Sequence, residues 1–227
     1  MAAILVVEDE SHLAKGLKLN LELEGNKADI LDRAEEALTV FADYNLMILD
    51  IMLPGMNGLE LLKRIRLIDN KFPVLIVSAR SSEDELVEGL QAGADDYITK
   101  PFSLPELMLR VKRMLERQAW YRRAAQSQRQ YSFGDFQIDF DSFEAQTKYG
   151  VITLTQYECY VMKYLIENKD RPVPREELLE KVWGYSVTPD TRTVDTFILR
   201  LRKLFEDDRK NPRHLISYRS VGYRFFD

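Results

Sequence analysis

A single cysteine, Cys159, stands in a chain of 227 residues. No internal disulfide can form, and such sparing use of cysteine fits a reducing cytosol. Long apolar runs are lacking too. The longest, such as Leu46-Met47-Ile48-Leu49 and Val74-Leu75-Ile76-Val77, are far too short to cross a bilayer. The start of the chain has no basic lead and no cleavage-site pattern, since Met1-Ala2-Ala3-Ile4-Leu5-Val6-Val7 meets Glu8-Asp9-Glu10 at once. That pattern argues against a secretory signal. Internal repeats and low-complexity tracts are absent. What is present is 45% hydrophobic and 30% charged residues, a balance that excludes a disordered or fibrous chain. These features predict a cytoplasmic, non-membrane protein of one large domain or two ordinary ones.

The net charge of −5 hides an asymmetry. Residues 1–118 carry 21 acids and 14 bases, a net of −7, whereas residues 119–227 carry 16 and 18, a net of +2. Residues 190–224 alone hold nine bases against five acids. An acidic front can hold a cation and a basic back can meet a polyanion, although each also fits a solvated surface. Periodicity divides the chain at the same place. In the first half, short apolar runs at 4–7, 28–31, 46–49, 74–77 and 97–98 alternate with segments of helical spacing. Leu13, Leu17 and Leu21 give one such segment, and Leu59, Leu62 and Ile65 another. Several runs are continuously apolar, as in parallel strands covered on both faces. Five β/α repeats predict a doubly wound α/β domain over 1–118. Residues 119–130 turn polar and read as a linker that can continue the last helix. The second half, 131–227, opens with aromatic-rich strands at 131–140 and 144–154. Thr155 with Glu158 then forms a capping-box pattern that opens a helix to about residue 168. A short helix over 176–182, a loop over 184–191, a third helix over 193–205 and a terminal hairpin about Ser220-Val221-Gly222 complete an α+β domain.

In an open α/β sheet, ligands bind beyond the carboxyl ends of the strands. Those ends carry Glu8, Asp9 and Glu10 after the first strand, Asp50 after the third, Ser78 after the fourth and Lys100-Pro101 after the fifth. Clustered acids with one hydroxyl and one lysine form a phosphoryl-transfer inventory. A hard cation such as Mg²⁺ takes carboxylate and carbonyl oxygens, and a carboxylate can itself be the nucleophile. Any one of these acids alone also reads as an exposed loop residue.

Four segments carry a family resemblance: Val6-Val7-Glu8-Asp9-Glu10, Leu49-Asp50-Ile51-Met52-Leu53-Pro54-Gly55-Met56-Asn57-Gly58, Ser78-Ala79-Arg80, and Gly93-Ala94-Asp95-Asp96-Tyr97-Ile98-Thr99-Lys100-Pro101-Phe102. In order and spacing they resemble the receiver domains of bacterial two-component response regulators, which have a flavodoxin-like (βα)5 fold. The resemblance implies that Asp50 accepts a phosphoryl group. It implies a Mg²⁺ site of Glu8, Asp9, Asp50 and the backbone carbonyl of Met52. Ser78 and Lys100 would meet the phosphoryl group, and Tyr97 would be an aromatic switch that turns inward when Ser78 moves. It makes Pro101 a cis-proline candidate, although trans is the default from sequence alone. Arg80 reads either as a group that affects dephosphorylation or as a plain surface arginine. Aspartate-nucleophile phosphatases keep a second acid two residues after the nucleophile. Apolar Met52 stands there, so a phosphoryl group is expected to persist, and a regulator rather than an enzyme is expected.

On a helical wheel, Val194, Phe197, Ile198, Leu201, Leu204 and Phe205 share one face of the third helix. Thr196, Leu199 and Lys203 point away, with Arg200 and Arg202 on the flanks. Such a helix suits the major groove, and it also reads as an ordinary amphipathic helix. The segments Leu154-Thr155-Gln156-Tyr157-Glu158, Val182-Trp183-Gly184, Arg192-Thr193-Val194-Asp195, Arg200-Leu201-Arg202-Lys203 and Ser217-Tyr218-Arg219-Ser220-Val221-Gly222-Tyr223-Arg224-Phe225 resemble the winged-helix output domain of OmpR/PhoB-type regulators. By that resemblance Arg192, Arg200 and Arg202 contact DNA, Ser217 and Arg219 reach it from the wing, and Trp183 with the loop to Thr191 lies where this family can meet RNA polymerase.

Three positions depart from the family pattern. Phe197 replaces a frequent histidine at the edge of the core face. Leu199 replaces a frequent arginine and leaves room for contact with a thymine methyl. Ser220 replaces a wing glycine. Asp95, Asp96, Arg110 and Arg113 match residues that pair across a dimer face of the fourth helix, fifth strand and fifth helix. Leu86 removes one base opposite Glu106, so the dimer is expected to be weaker or more hydrophobic. The expected function is control of transcription: a sensor histidine kinase phosphorylates Asp50, two receivers pair, and the winged helices bind direct-repeat double-stranded DNA. The alternatives are a phospho-regulated protein–protein module whose winged helix does not read DNA, and a metal-dependent phosphohydrolase.

Overall fold

The computed structural model describes residues 1–79, 82–124, 129–184 and 192–227. Arg80, linker residues 125–128 and the loop over 185–191 lie outside the described residues. Two compact units are present, Met1–Ala119 and Trp120–Asp227. Among the described residues no helix is long and apolar enough to cross a membrane.

The first unit alternates strand and helix: β1 (Ala3–Val7), α1 (Ser11–Leu23), β2 (Lys27–Leu31), α2 (Ala34–Val40), β3 (Leu46–Leu49), α3 (Gly58–Ile68), β4 (Val74–Ser78), α4 (Glu83–Gln91), β5 (Asp96–Thr99) and α5 (Leu104–Ala124). The sheet has order β2-β1-β3-β4-β5 with every pairing parallel. The continuously apolar runs explain themselves here. Ile4, Leu5, Val6 and Val7 are all fully buried, as are Val74 through Val77, because helices cover both faces of the sheet. On α1 the residues facing the sheet are Ala14, Leu17 and Leu21. The Asn57 side chain caps α3 by accepting from the Glu60 N–H at 2.9 Å. The strand order reverses between β1 and β3, so the loops after these two strands diverge and open a crevice at their carboxyl ends. The Lys100-Pro101 peptide is cis.

The second unit opens with an antiparallel sheet, β6 (Gln130–Phe133), β7 (Phe136–Asp139), β8 (Glu144–Thr147) and β9 (Gly150–Thr153). Each aromatic-rich stretch folds back on itself at a glycine with positive φ, Gly134 at +50° and Gly150 at +90°. Next come α6 (Gln156–Glu167), β10 (Val173–Pro174), α7 (Arg175–Leu178) with a π-type turn over Leu179–Trp183, α8 (Arg192–Phe205), and the hairpin β11 (Leu215–Tyr218) and β12 (Gly222–Phe225). The capping box forms in full: the Thr155 side chain accepts from Glu158 N–H while Glu158 accepts from Thr155 N–H at 2.8 Å. The hairpin joins β10 in a three-stranded sheet of order β10-β12-β11. At its turn Ser220 adopts φ +61°, the conformation that a glycine would take without strain.

Two aromatic clusters form this core. Phe133 packs against Phe136, Phe205, His214 and Phe225 with ring centroids 5.0–5.6 Å apart. Trp183 stacks on Tyr157 at 5.3 Å and meets Phe197 edge-on at 5.0 Å. Two wheel assignments are corrected by this packing. Phe197 is at the centre of the core with no exposed surface, and Thr196 is buried at 4% exposure rather than outward. Trp183 is likewise a core ring, at 1% exposure, so its indole is spent on packing.

Candidate functional site

The crevice at the switch point gathers residues that lie far apart in sequence. Glu8 and Asp9 follow β1, Asp50 follows β3, and each offers a carboxylate oxygen within 4.8 Å of the others. Glu8 and Asp50 are buried at 2% and 4% exposure, while Asp9 is exposed. Two buried acids this close demand a compensating charge. Lys100, at the end of β5, supplies it: its Nζ donates to Asp50 Oδ2 at 2.6 Å, to Glu8 Oε1 at 3.0 Å and to Glu10 Oε1 at 3.1 Å. Burial works against the charge on Lys100, but the bonds to Asp50, Glu8 and Glu10 outweigh it and raise the pKa above the usual lysine value. Glu8 moves upward as well, chiefly through burial, with the bond from Lys100 opposing and the Asp50 charge adding. The donor set fits a hard divalent cation: carboxylate oxygens in one cluster, one of the three acids open to solvent, and a single lysine offsetting the group.

The loop after Asp50 is held from several sides. Met52 N–H donates to Asp50 Oδ1 at 2.9 Å, and the Met52 side chain is 57% exposed. Gly58 N–H donates to Ile51 O at 2.9 Å. A Cβ on Gly58 would lie 2.1 Å from Asp50 O, so only glycine permits this approach. Farther along, Met56 N–H donates to Glu35 Oε1 at 2.8 Å, which ties the loop to the first turn of α2. This contact was not legible as part of the site, because Glu35 sits in an ordinary acidic first turn. A cleft of about 360 Å³ opens beside Glu8 and Asp9, with Lys15, Asp32 and Glu36 among its walls.

Ser78 is fully buried at the end of β4, and its carbonyl accepts from Lys100 N–H at 2.8 Å. Tyr97 is 5% exposed. Its ring fills the space beside α4, where a Cβ on Gly89 would meet Tyr97 Cε2 at 2.9 Å. The ring already lies inward.

The four residues matched to a dimer face each have a partner within the chain. Asp95, 1% exposed, accepts from Arg66 Nη2 and from Val74 N–H, each at 2.9 Å. Arg66 also donates to the carbonyls of Gly93 and Phe72. Asp96, with no exposed surface, accepts both 2.9 Å and 2.8 Å bonds from Arg110 Nη1. Arg113 pairs with Glu116 at 3.2 Å.

On the second unit the residues matched to DNA contacts separate into two groups. Arg192, Leu199, Lys203, Ser217 and Arg219 are exposed. Thr196 is not, and two arginines face inward contacts. Arg200 donates to Glu158 Oε1 through Nε at 2.9 Å and Nη2 at 2.8 Å, and its guanidinium lies 4.6 Å from the centre of the Phe197 ring. Arg202 donates to Leu215 O at 3.0 and 2.6 Å and to Ser217 Oγ at 2.8 Å. Burial lowers the pKa of Arg202. Asp195 accepts from Arg175 Nε and Tyr223 OH, each at 2.6 Å, so α7, α8 and the hairpin meet at one carboxylate. Sequence reasoning missed that junction, because its three members belong to separate motifs.

Two domain models match the chain: a response regulator receiver domain over residues 4–112 and the transcriptional regulatory protein C-terminal domain over 149–225. Over its length the chain is similar to the sensory transduction protein RegX3 of Mycolicibacterium smegmatis, with 37% identity over 226 residues and 99% of each sequence covered. The RegX3 protein of Mycobacterium tuberculosis matches at the same identity and coverage. Among solved structures it resembles the response regulator DrrB, an OmpR/PhoB homologue of Thermotoga maritima, at 34% identity over the whole of both chains and a TM-score of 0.54. A point mutant of RitR matches at 25% identity over both whole chains with a TM-score of 0.78. With a five-stranded parallel receiver fold in front and a winged helix behind, the chain belongs to the OmpR/PhoB family of response regulators.

Proposed function

We propose that this regulator is switched by phosphorylation of Asp50 and acts on transcription through its winged helix, with residues 1–118 as receiver, 119–130 as linker and 131–227 as output domain. The observation that carries the reading is the buried Asp50 carboxylate held 2.6 Å from Lys100 beside Glu8 and Asp9. A partner histidine kinase supplies the phosphoryl group. An Asp50 Oδ forms the new bond to phosphorus as the P–N bond to the kinase imidazole breaks. The electron pair of that bond leaves with the imidazole nitrogen, which takes a solvent proton. Glu8, Asp9, Asp50 and the Met52 carbonyl would hold Mg²⁺, which when bound offsets charge on the phosphoryl oxygens. Lys100 exchanges a carboxylate for a phosphoryl oxygen as its partner, and Ser78 donates its hydroxyl to another. With apolar Met52 in place of a second acid, the position two residues after Asp50 offers no group to activate water, which favours a persistent acyl phosphate.

Phosphorylation is proposed to pair two receivers through α4, β5 and α5. The internal engagement of Asp95 and Asp96 leaves that face to Arg113 and to apolar contacts from Leu86 and the 44% exposed Leu109. The paired output domains would then bind direct-repeat duplex DNA, with RNA polymerase as a further partner at the turn after α7. A second reading, in which the winged helix receives a protein instead, draws support from the inward engagement of Arg200 and Arg202. Selection from a random duplex pool discriminates between the two. The phosphoryl chemistry is tested by intact mass after incubation with Mg²⁺ and a small acyl phosphate. One phosphoryl adduct, lost in Asp50→Ala, is expected; an adduct retained in Asp50→Ala, or none in either protein, would overturn it.

A further inference from the structure

The outward side of α8 carries an inference that rests on the DNA reading above. Arg200 and Arg202 are drawn toward α6 and the hairpin, to Glu158 and to Leu215 O and Ser217. What remains outward has a different chemistry. Arg192, Leu199 and Lys203 are separated by seven and four residues, close to two turns and one turn, so they line one side of the helix. All three are exposed, and Leu199 is exposed at 42%. Packing does not account for a leucine there. The inward face of α8 is already filled by Val194, Phe197, Ile198 and Leu201, each at 0–1% exposure.

Leu199 stands between two cations on this side of the helix, and each half of the pairing suits a different part of a duplex. Cations are attracted to phosphates and fix position along the backbone without reading sequence. A leucine has no donor or acceptor and cannot read the polar edge of guanine, cytosine or adenine. The apolar group displayed in the major groove is the C5-methyl of thymine. Arg219, exposed on the hairpin turn, adds a further cation to the same polyanion. The charge on either side of Leu199 favours a polyanion over an apolar peptide, and on the DNA reading above that polyanion is the duplex.

We propose that Leu199 reads a thymine methyl and that the base preference of α8 is in good part apolar, with Arg192, Lys203 and Arg219 supplying phosphate attraction. The experiment takes duplexes selected from a random pool by the full-length protein. Each thymidine in turn is replaced by deoxyuridine, which removes only the methyl. Binding should weaken by about fourfold at one position per half-site, the worth of one methyl-sized apolar group. Leu199→Ala should bind the thymidine and deoxyuridine duplexes equally well, and because Leu199 is exposed, its loss should leave the melting temperature unchanged. Two results would overturn the inference while leaving DNA recognition intact: selected duplexes whose binding ignores every deoxyuridine, or a Leu199→Ala variant that keeps the wild-type sensitivity. A pool from which no sequence is enriched would remove the DNA reading itself, and the inference with it.

Discussion

Arg200→Ala separates a group that touches DNA from one that holds the domain together. In the structure the Arg200 and Glu158 side chains are 11% and 7% exposed and 2.8 Å apart. Removing one partner of a buried pair leaves the other charge without compensation, at a cost of about 3–5 kcal/mol. The lower end applies here, because Glu158 keeps its bond from Thr155 N–H. For a unit of this size each kcal/mol lowers the melting temperature by about 4 °C or more, so a fall of at least about 12 °C is expected for the second unit. The DNA-binding readout should behave differently. Each phosphate contact contributes about 0.9 to the slope of log K against log salt, and an arginine bound to Glu158 contributes none. The assay is a pair of measurements on one protein, thermal melting and a salt titration of DNA affinity at a temperature where the variant is folded. A double variant, Arg200→Leu with Glu158→Gln, removes both charges while glutamine can still complete the capping box, and it should regain most of the lost stability. A melting temperature within about a degree of wild type, together with a salt slope shallower by about 0.9, would refute the assignment and place Arg200 on the duplex.

Two further outcomes follow from other contacts. Glu35→Ala should make phosphorylation by a small acyl phosphate severalfold slower at limiting Mg²⁺ and leave the rate at saturating Mg²⁺ unchanged, because the loop after Asp50 loses its tie to α2; Glu35→Gln, which keeps an acceptor for Met56 N–H, should restore the wild-type profile, and a Glu35→Gln as slow as Glu35→Ala would sink the argument. Glu177 is held at about 2 by the bond from Arg171, with burial opposing and Tyr164 assisting, against an ordinary 4.5. Its folded value is depressed, so its stabilising contribution is complete above pH 4.5 and is lost as the pH falls toward 2. The melting temperature of Glu177→Gln should therefore lie below wild type at neutral pH and converge with it in acid, and a constant difference down to pH 2 would count against the pairing.

The first unit was legible because its pattern is local. A strand covered on both faces announces itself as an uninterrupted apolar run, and its carboxyl end is the next residue, so Glu8, Asp50, Ser78 and Lys100 could be assigned to one rim without knowing the strand order. Contacts decided by tertiary packing were not legible. The Arg200 and Glu158 side chains meet across 42 positions, and Arg66 and Asp95 across 29. A helical wheel places Arg200 on a flank, but whether a flank faces water depends on which element lies beside it. Here α6 does, and its capping glutamate is the partner. Thr196 failed for the same reason: the wheel ranks faces by polarity, and a threonine with a buried neighbour looks the same as one in solvent. The dimer-face acids carried a subtler ambiguity, since a resemblance that matches both Asp96 and Arg110 cannot say whether the pair closes within one chain or between two.

Four acids of the front half, Glu8, Asp9, Glu10 and Asp50, gather at one rim about Lys100, and that clustering shows how a phosphoryl signal would travel. Glu8 and Asp50 are buried beside a single cation, and Lys100 makes bonds to three carboxylates at once. On the proposed reading, a phosphoryl group on Asp50 brings added negative charge and new acceptors into a site whose lysine is already committed, so Lys100 must redistribute its bonds. Its own N–H is bonded to Ser78 O, and Ser78 lies opposite Thr99 while Ile76 lies opposite Tyr97 in the same ladder. A rearrangement at Lys100 thus reaches Tyr97 within three residues of one strand. The inward Tyr97 ring and Ile76 both lie against Gly89 of α4, so any displacement of β5 changes what α4 rests on. The path from chemistry to the proposed pairing face therefore needs no long-range relay: Asp50 follows β3, the support of α4 is on β5, and only β4 lies between them, with Lys100 bonded to the Asp50 carboxylate at one end and to Ser78 O of β4 at the other.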